Sequence, residues 1–430
     1  MCATLSQPVI IRTHNVELET AIAFRGAPDM ALSSQTALDV VVVGGCGHIG
    51  LPLALALVDA GSHVGVLDKN VAKIAYVKGG RMPFQERGAD ELLAAALLSG
   101  RLEFDDRAEM VGRTGIVINV IGTLIDEFMN PSMRNFDRNI QQLIPHLKTR
   151  SLVILTSTVY PGTSERLMDL FDDLGNEVQV AFCPARISEG DALNELHTLP
   201  QIIGARTDEA FDRTKAVFSR LGVEVIRTTP REAEVAKLIT NAWRYMKFAI
   251  ANQFFEIAHR AGLDYGRILH AVRADYPRAA DLPSPGLAAG PRLLQDTMHL
   301  SAFSSDYFPM GQTAMLVNEG LPAYIVDSLN RRRSLSGLTV GVLGMAYKGE
   351  SDDPRNSLSY KLKKLLGFKG ARVLCTDPYV SDPALLPLQR VVDESDVVVV
   401  AAPHEVYRDA ELGGCEVVDI WGLRSGGIRL

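Results

Sequence analysis

The order of apolar and polar positions divides the chain into three stretches. From 38 to 229, strand-length apolar runs alternate with helical segments: "LDVVVV" and "VGVLD" flank a helix. "GIVINVIG" (115–122), "SLVILTST" (151–158) and "EVQVAFCP" (177–184) come after them. A run apolar at successive positions marks a strand covered on both faces, as in a parallel sheet with helices above and below. From about Pro230 the period changes. "EAEVAKLITNAWRYMKFAIANQFFEIAHRAG" (232–262) predicts one long amphipathic helix with Gly262 at its end. More helix, broken by the loop "SPGLAAGPRLLQDT" (284–297), runs to about Asn330. Alternation then returns with "LTVGVLG" (338–344), "ARVLCTDP" (371–378), "DVVVVAAP" (396–403) and "CEVVDIW" (415–421). The predicted fold is α/β. Two Rossmann-like doubly wound domains, 38–229 and 334–430, are joined by a helical connector domain, 230–333, with a long central helix. Residues 1–37 form an N-terminal extension to which the pattern assigns no structure.

The first strand runs into Gly45, Gly47 and Gly50, a GxGxxG turn that opens a helix. Glycines there permit a tight turn and close approach of backbone to a pyrophosphate at the positive end of the helix. The second strand ends in Asp68, 18 residues past Gly50, at the spacing of an acid that binds a ribose. An acid favours NAD because it repels a 2′-phosphate; the adjacent Lys69 keeps NADP as the lesser option. His48 and Ile49 belong to the same turn and are assigned with it to the cofactor.

Composition narrows the partners. At 430 residues the chain exceeds one hydrophobic core, and a net charge of −7 excludes nucleic-acid binding by broad positive charge. The only notable basic run, Arg331 to Arg333, reads as a solvated link. The five cysteines are scattered without a CxxC pair, which suggests reduced thiols, a cytoplasmic setting and no metal site. The longest apolar runs are too short to cross a membrane, and no secretory signal is expected.

With these features, an ordered set of motifs resembles the UDP-glucose/GDP-mannose dehydrogenase family, nearest its UDP-N-acetylhexosamine (N-acetylmannosamine) 6-dehydrogenase branch. The set comprises "PFQERGADELL" (83–93), "IGTLID" (121–126), "TSTVYPGTSERL" (156–167), "CPARISEG" (183–190) and "AEVAKLITNAWR" (233–244). "YPRAADLPSPG" (276–286), "GMAYKGESDDPRNS" (344–357) and "TDPY" (376–379) complete it. The resemblance implies NAD on the first domain, a sugar nucleotide on the last, reaction between them and a homodimer across the connector helix. It implies catalytic roles for Lys237 and Asn241, four apart on one helix face. Asp296 would be the acid that positions water or acts as base, and Thr158 would stand beside the reactive carbon. Thr123 and Thr158 are assigned to the cofactor side. Arg278, Arg292, Lys348 and Arg355 are assigned to the substrate.

The match fails at two linked positions. The family's catalytic cysteine falls where this chain has Arg292, and the glutamate after the proline of "CPARISEG" is Ala185. A guanidinium stays protonated and is no nucleophile, so the family's covalent thioester cannot form. Cys183 is the one substitute thiol to consider. Arg292 has three outcomes open to it: pairing with Asp296, reaching an anionic group on the substrate, or pointing to solvent. The function expected first is NAD-dependent oxidoreduction limited to two-electron hydride transfer at a sugar carbinol. A redox-neutral NAD-dependent epimerase, an inactive sugar-nucleotide-binding homologue and a slow non-covalent oxidation to the acid are the alternatives. Which nucleotide, sugar and carbon are involved stays open.

Overall fold

A computed structural model describes residues 37–430 except 127–130, 288–289 and 306; the expected N-terminal extension lies outside the described residues up to position 36. Strands β1 (Val40–Val43), β2 (Val64–Leu67), β3 (Leu102–Asp105) and β4 (Ile116–Asn119) come first. A small hairpin of β5 (Leu124–Ile125) and β6 (Pro131–Ser132) is next. Then come β7 (Leu152–Leu155), β8 (Gln179–Phe182), β9 (Gln201–Ala205) and β10 (Val225–Thr228). All but the hairpin form one sheet in the order β10-β9-β8-β7-β4-β1-β2-β3, with only β8 and β9 antiparallel.

Successive residues of the central strands do face opposite cores. Val40, Val42, Val64, Val66, Ile118 and Ile154 enter one cluster, and Val41, Val43, Val117, Val153 and Leu155 the other. Burial on both sides is why these runs read as uninterrupted apolar sequence. The apolar pattern does not mark strands β3, β9 and β10. β3 and β10 are the sheet's edges, and "LEFD" and "VIRT" carry half-buried or exposed polar residues there.

The connector helix spans Pro230–Arg260. It starts two residues before the apolar pattern does, because Thr229 and Glu232 close a capping box with Pro230 in the first turn. Its buried Glu234 accepts the amides of Gly162 at 2.5 Å and Ser164 at 2.8 Å, and the Ser164 hydroxyl at 2.6 Å. These bonds tie the first domain to the connector at the start of the helix Thr163–Asp173. Helices Tyr265–Arg273, Pro291–Phe303 and Pro309–Arg332 follow it in the connector.

The second sheet is β11 (Thr339–Leu343), β12 (Arg372–Thr376), β13 (Val397–Val400) and β14 (Glu416–Val418). It is parallel, in the order β12-β11-β13-β14, with cores on both faces. No helix among the described residues is long and apolar enough to cross a membrane.

Candidate functional site

At the carboxyl end of β1 the chain turns through Gly44 and enters the helix Gly50–Asp59 directly. A side chain at Gly50 would lie 2.6 Å from the Cα of Gly45 and 2.8 Å from the carbonyl of Gly44, so the helix start packs on the turn itself. At Gly47 the nearest atom to an added Cβ is 3.6 Å away, which leaves the outer face of the turn open. No side chain caps the amides at this helix start. Open backbone plus uncapped amides make a cradle that fits the pyrophosphate of NAD. Asp68 stands at the end of β2, accepting the Cys46 amide at 3.0 Å and the Asn70 amide at 2.9 Å. One amide on each oxygen leaves the carboxylate capacity for a ribose diol. His48 stacks on Phe84 at 4.1 Å, and burial lowers its pKa, which keeps the imidazole neutral near pH 7. Ile49, the residue before the helix, is half-buried.

β4 lies beside β1 at the point where strand order reverses, the usual ligand crevice of an open α/β sheet. Thr123, just past β4, donates its amide to the Thr158 carbonyl at 3.0 Å, and its own carbonyl accepts from Gln295 at 2.9 Å. This links the cofactor crevice to the helix Pro291–Phe303.

That helix presents Asp296, which is 1% exposed. Its Oδ2 accepts from Asn241 Nδ2 at 2.6 Å and from Thr158 Oγ1 at 3.2 Å, while Oδ1 is buried without a hydrogen bond among the described residues. Burial raises the Asp296 carboxyl, opposed by the Lys237 charge and the Asn241 bond. Burial likewise pulls the Lys237 ammonium down to about 8, with Asp296 opposing. Lys237, Asn241, Thr158 and Asp296 thus meet in one buried cluster: a proton-accepting carboxylate, an ammonium within reach of neutrality, and two neutral donors.

Above the cluster opens a cleft with about 850 Å³ of unfilled space, partly continuous with solvent. The connector helix contributes Lys237, Asn241, Arg244 and Phe248, a single face at i, i+4, i+7 and i+11. Arg244, not among the residues expected from sequence, lies on the same helical period as Lys237 and Asn241. The wall opposite is "YKG", with Tyr347, Lys348 and Gly349. Gly290 has φ +115°, and a side chain there would meet the Tyr347 ring at 2.6 Å. The small residues of the loop therefore admit side chains from the last domain. The loop's centre, 288–289, lies outside the described residues.

Glu189, to which no role was assigned from sequence, is the hub of this wall. It is 8% exposed and accepts the Tyr347 hydroxyl at 3.2 Å. Its Oε1 lies 3.8 Å from Arg292 Nε and 3.7 Å from Arg355 Nη2, and Lys348 donates to its backbone carbonyl. Burial lowers the Lys348 pKa, opposed by Glu189. Glu189 comes within 4.8 Å of His48 and Asp353; Arg355 grips Asp353, while Glu189 Oε1 and His48 Nδ1 are buried without a hydrogen bond among the described residues.

Arg292 forms its ion pair with Glu189 rather than Asp296, since the guanidinium extends into the cleft while Asp296 points down to Asn241. Arg278 does not line the cleft within this chain: it is exposed, with its guanidinium 6.0 Å from the Tyr276 ring. Cys183 is buried in the first core, donates to the Ile202 carbonyl at 3.2 Å, and its pKa is raised by burial. It is not a substitute nucleophile. None of the four described cysteines lines the cleft.

Comparison with known proteins covers most of the chain. Residues 39–222 match the NAD binding domain of the UDP-glucose/GDP-mannose dehydrogenase family, 231–320 its central domain and 341–422 its UDP binding domain. The UDP-N-acetyl-D-mannosamine dehydrogenase of Pyrococcus horikoshii is 28% identical over 380 residues, covering 86% of this chain and 90% of that one. The UDP-glucose 6-dehydrogenase YwqF of Bacillus subtilis is 24% identical over 83% of this chain and 84% of its own. A solved UDP-glucose dehydrogenase from Pyrobaculum islandicum superposes with a TM-score of 0.83 at 27% identity, covering 92% of this chain and 98% of that one.

Proposed function

Since the chain belongs to the UDP-glucose/GDP-mannose dehydrogenase family, with NAD as cofactor and a nucleotide sugar as substrate, we propose that it oxidises one sugar carbinol by two electrons and stops there. The observation that carries this reading is the site itself: a base, an ammonium and two neutral donors meet in one buried cluster at the cleft, and none of the described thiols lines the cleft. Bound NAD supplies the acceptor for the carbinol hydride. The chain's own residues manage the oxygen. Asp296 takes the hydroxyl proton; Lys237 and Asn241 donate to the oxygen as negative charge grows on it. Thr158 holds the Asp296 carboxylate in place. Arg355 and Lys348 bind the sugar nucleotide by charge. Lacking a thiolate at 292 and a carboxylate at 185, the site has no route to a thioester or to its hydrolysis.

Incubation with a panel of UDP-sugars tests this, with NADH counted against products resolved by mass and NMR. One NADH per carbonyl product is expected; two NADH per sugar carboxylate would refute it. Exchange of a deuterium label at one carbon without net NADH would replace it with the epimerase reading. Arg292→Cys alone is expected to leave carboxylate formation absent, because Ala185 still leaves the hydrolytic step unassisted.

The reading extends to assembly. Ile239, Trp243, Ile250, Phe254 and Ile257 are all exposed and share the face of the connector helix opposite Lys237, Asn241 and Arg244. We assign this stripe to a second copy of the chain, because a long straight apolar helix face is best covered by its own two-fold mate. Light scattering is expected to give a dimer for the wild type and a monomer for Trp243→Glu. The four described thiols, all free, suit a reducing compartment such as the cytoplasm.

A further inference from the structure

The cleft is lined by four cations, Lys237, Arg244, Arg292 and Lys348, against one carboxylate, Glu189. Lys237 belongs to the buried proton-handling cluster. Lys348 stands on the last domain and donates to the Glu189 backbone carbonyl, and Arg244 lies roughly 10 Å along the connector helix from Lys237. Arg292 is different. It precedes Asp296 by four residues on one helix, so it sits a single turn above the base. Its side chain is 37% exposed into the cleft and forms no hydrogen bond among the described residues. Its ion pair is a long one, Nε to Glu189 Oε1 at 3.8 Å. Glu189 is shared with Arg355 at 3.7 Å, so one carboxylate faces two guanidinia. A planar fork of donors left open in the cleft one turn above the base is the geometry that recognises a carboxylate bidentately.

Resting on the two-electron reading above, we infer that the substrate is a nucleotide uronic acid, whose sugar carboxylate is held by Arg292 while a neighbouring secondary carbinol is oxidised. The carboxylate is a bystander. The carbinol loses its hydride and its hydroxyl proton to the acceptors already named, and the product is a ketone. A ketone carries no hydrogen on the oxidised carbon, so no second oxidation follows, and a site for such a substrate has no use for a thiolate. The reaction that supplies the substrate must therefore be a prior oxidation of the sugar's primary alcohol to the acid.

The test uses the full chain and two pairs of probes differing only at that carbon: UDP-glucuronate with UDP-glucose, and UDP-N-acetylglucosaminuronate with UDP-N-acetylglucosamine. For each, kcat/KM is read from NADH formation with product mass, and affinity is read by calorimetry in the presence of NADH. In at least one pair the uronate is expected to be preferred by about 30-fold or more in both readouts. That matches the loss of one charge-assisted contact. Arg292→Gln is expected to bring the ratio within about 3-fold, and Arg292→Lys to retain part of it. Equal or better handling of the neutral sugars by the wild type overturns the inference. So does an Arg292→Gln variant that weakens both members of a pair by the same factor, because the arginine then acts on the common carbinol. The affinity ratio decides the matter even where no probe is oxidised. Carboxylate made from a neutral sugar with two NADH would instead refute the two-electron reading, so the two failures are distinguishable.

Discussion

In the first sheet the chain leaves β1 through Gly44, at φ +78°, and Asp68 at the end of β2 accepts the Cys46 amide. In the second it leaves β11 through Gly344, at φ +96°, and Asp377 at the end of β12 accepts the amides of Met345 and Ala346 at 2.6 and 2.9 Å. The strand–turn–strand frame is the same. The segments after the two turns differ. In the first case a helix begins at Gly50 and offers its amide end to an anion; in the second, residues 345–357 intervene before the helix Leu358–Phe368. That inserted loop carries Tyr347, Lys348 and Arg355 to Glu189 and so builds the wall of the cleft. The acids differ accordingly. Asp68 is half-buried with spare acceptor capacity. The Asp377 side chain is enclosed and its carboxylate is filled, taking His404 Nε2 at 3.1 Å and the Tyr379 and Val380 amides at 2.8 and 2.9 Å besides the turn. Where the helix starts, more than the sheet beneath it, decides what each turn does.

The sharpest way to break this comparison is to neutralise both acids. Asp377→Asn is expected to destabilise the protein by about 3 kcal/mol, because four amides lose an ionic acceptor in a buried site. Asp68→Asn should cost about 1 kcal/mol but weaken NAD about 10-fold or more. Urea melts and NAD titration measure the two; equal stability losses would mean that both turns are structural. Acid titration sharpens the same point. Burial pushes the Asp377 carboxyl up, but His404 and the surrounding amides together hold it at about 2, below its ordinary 3.8. Its contribution, roughly 2 kcal/mol, is present above pH 4 and is lost as pH falls toward 2. Melts of Asp377→Asn should lack this component.

The inserted loop is probed by Lys348→Gln. It is expected to raise KM for the nucleotide sugar about 10-fold while NAD affinity stays within 2-fold, as steady-state kinetics and NAD titration would record. An equal loss on both ligands would remove the division between the two turns.

The smallest effect is on the pH profile. With the buried Lys237 ammonium at about 8, kcat/KM should fall up to about 10-fold per pH unit above that value as the donor to the oxyanion is lost. Lys237→Arg, though slower, should show no such limb, because a guanidinium stays charged. An unchanged limb in that variant would assign the titration elsewhere.

Much of this architecture was legible because its signals are local. Continuous valine runs announced strands covered on both faces, the glycine turn and Asp68 lie within one strand–helix–strand unit, and the 3.6-residue period marked the connector helix with Lys237 and Asn241 on one face. Edge strands β3 and β10 escaped, because one side of each strand has no neighbour and its residues need not be apolar. That position 292 is an arginine and position 185 an alanine was equally plain. The direction taken by Arg292 was not. Glu189, Arg292, Tyr347 and Arg355 are brought together only when loops from three parts of the chain converge, and no short-range pattern encodes an ion pair across a hundred residues or more. Local periodicity sets which segments become strands and helices; which side chains then share a buried charge depends on how those segments pack.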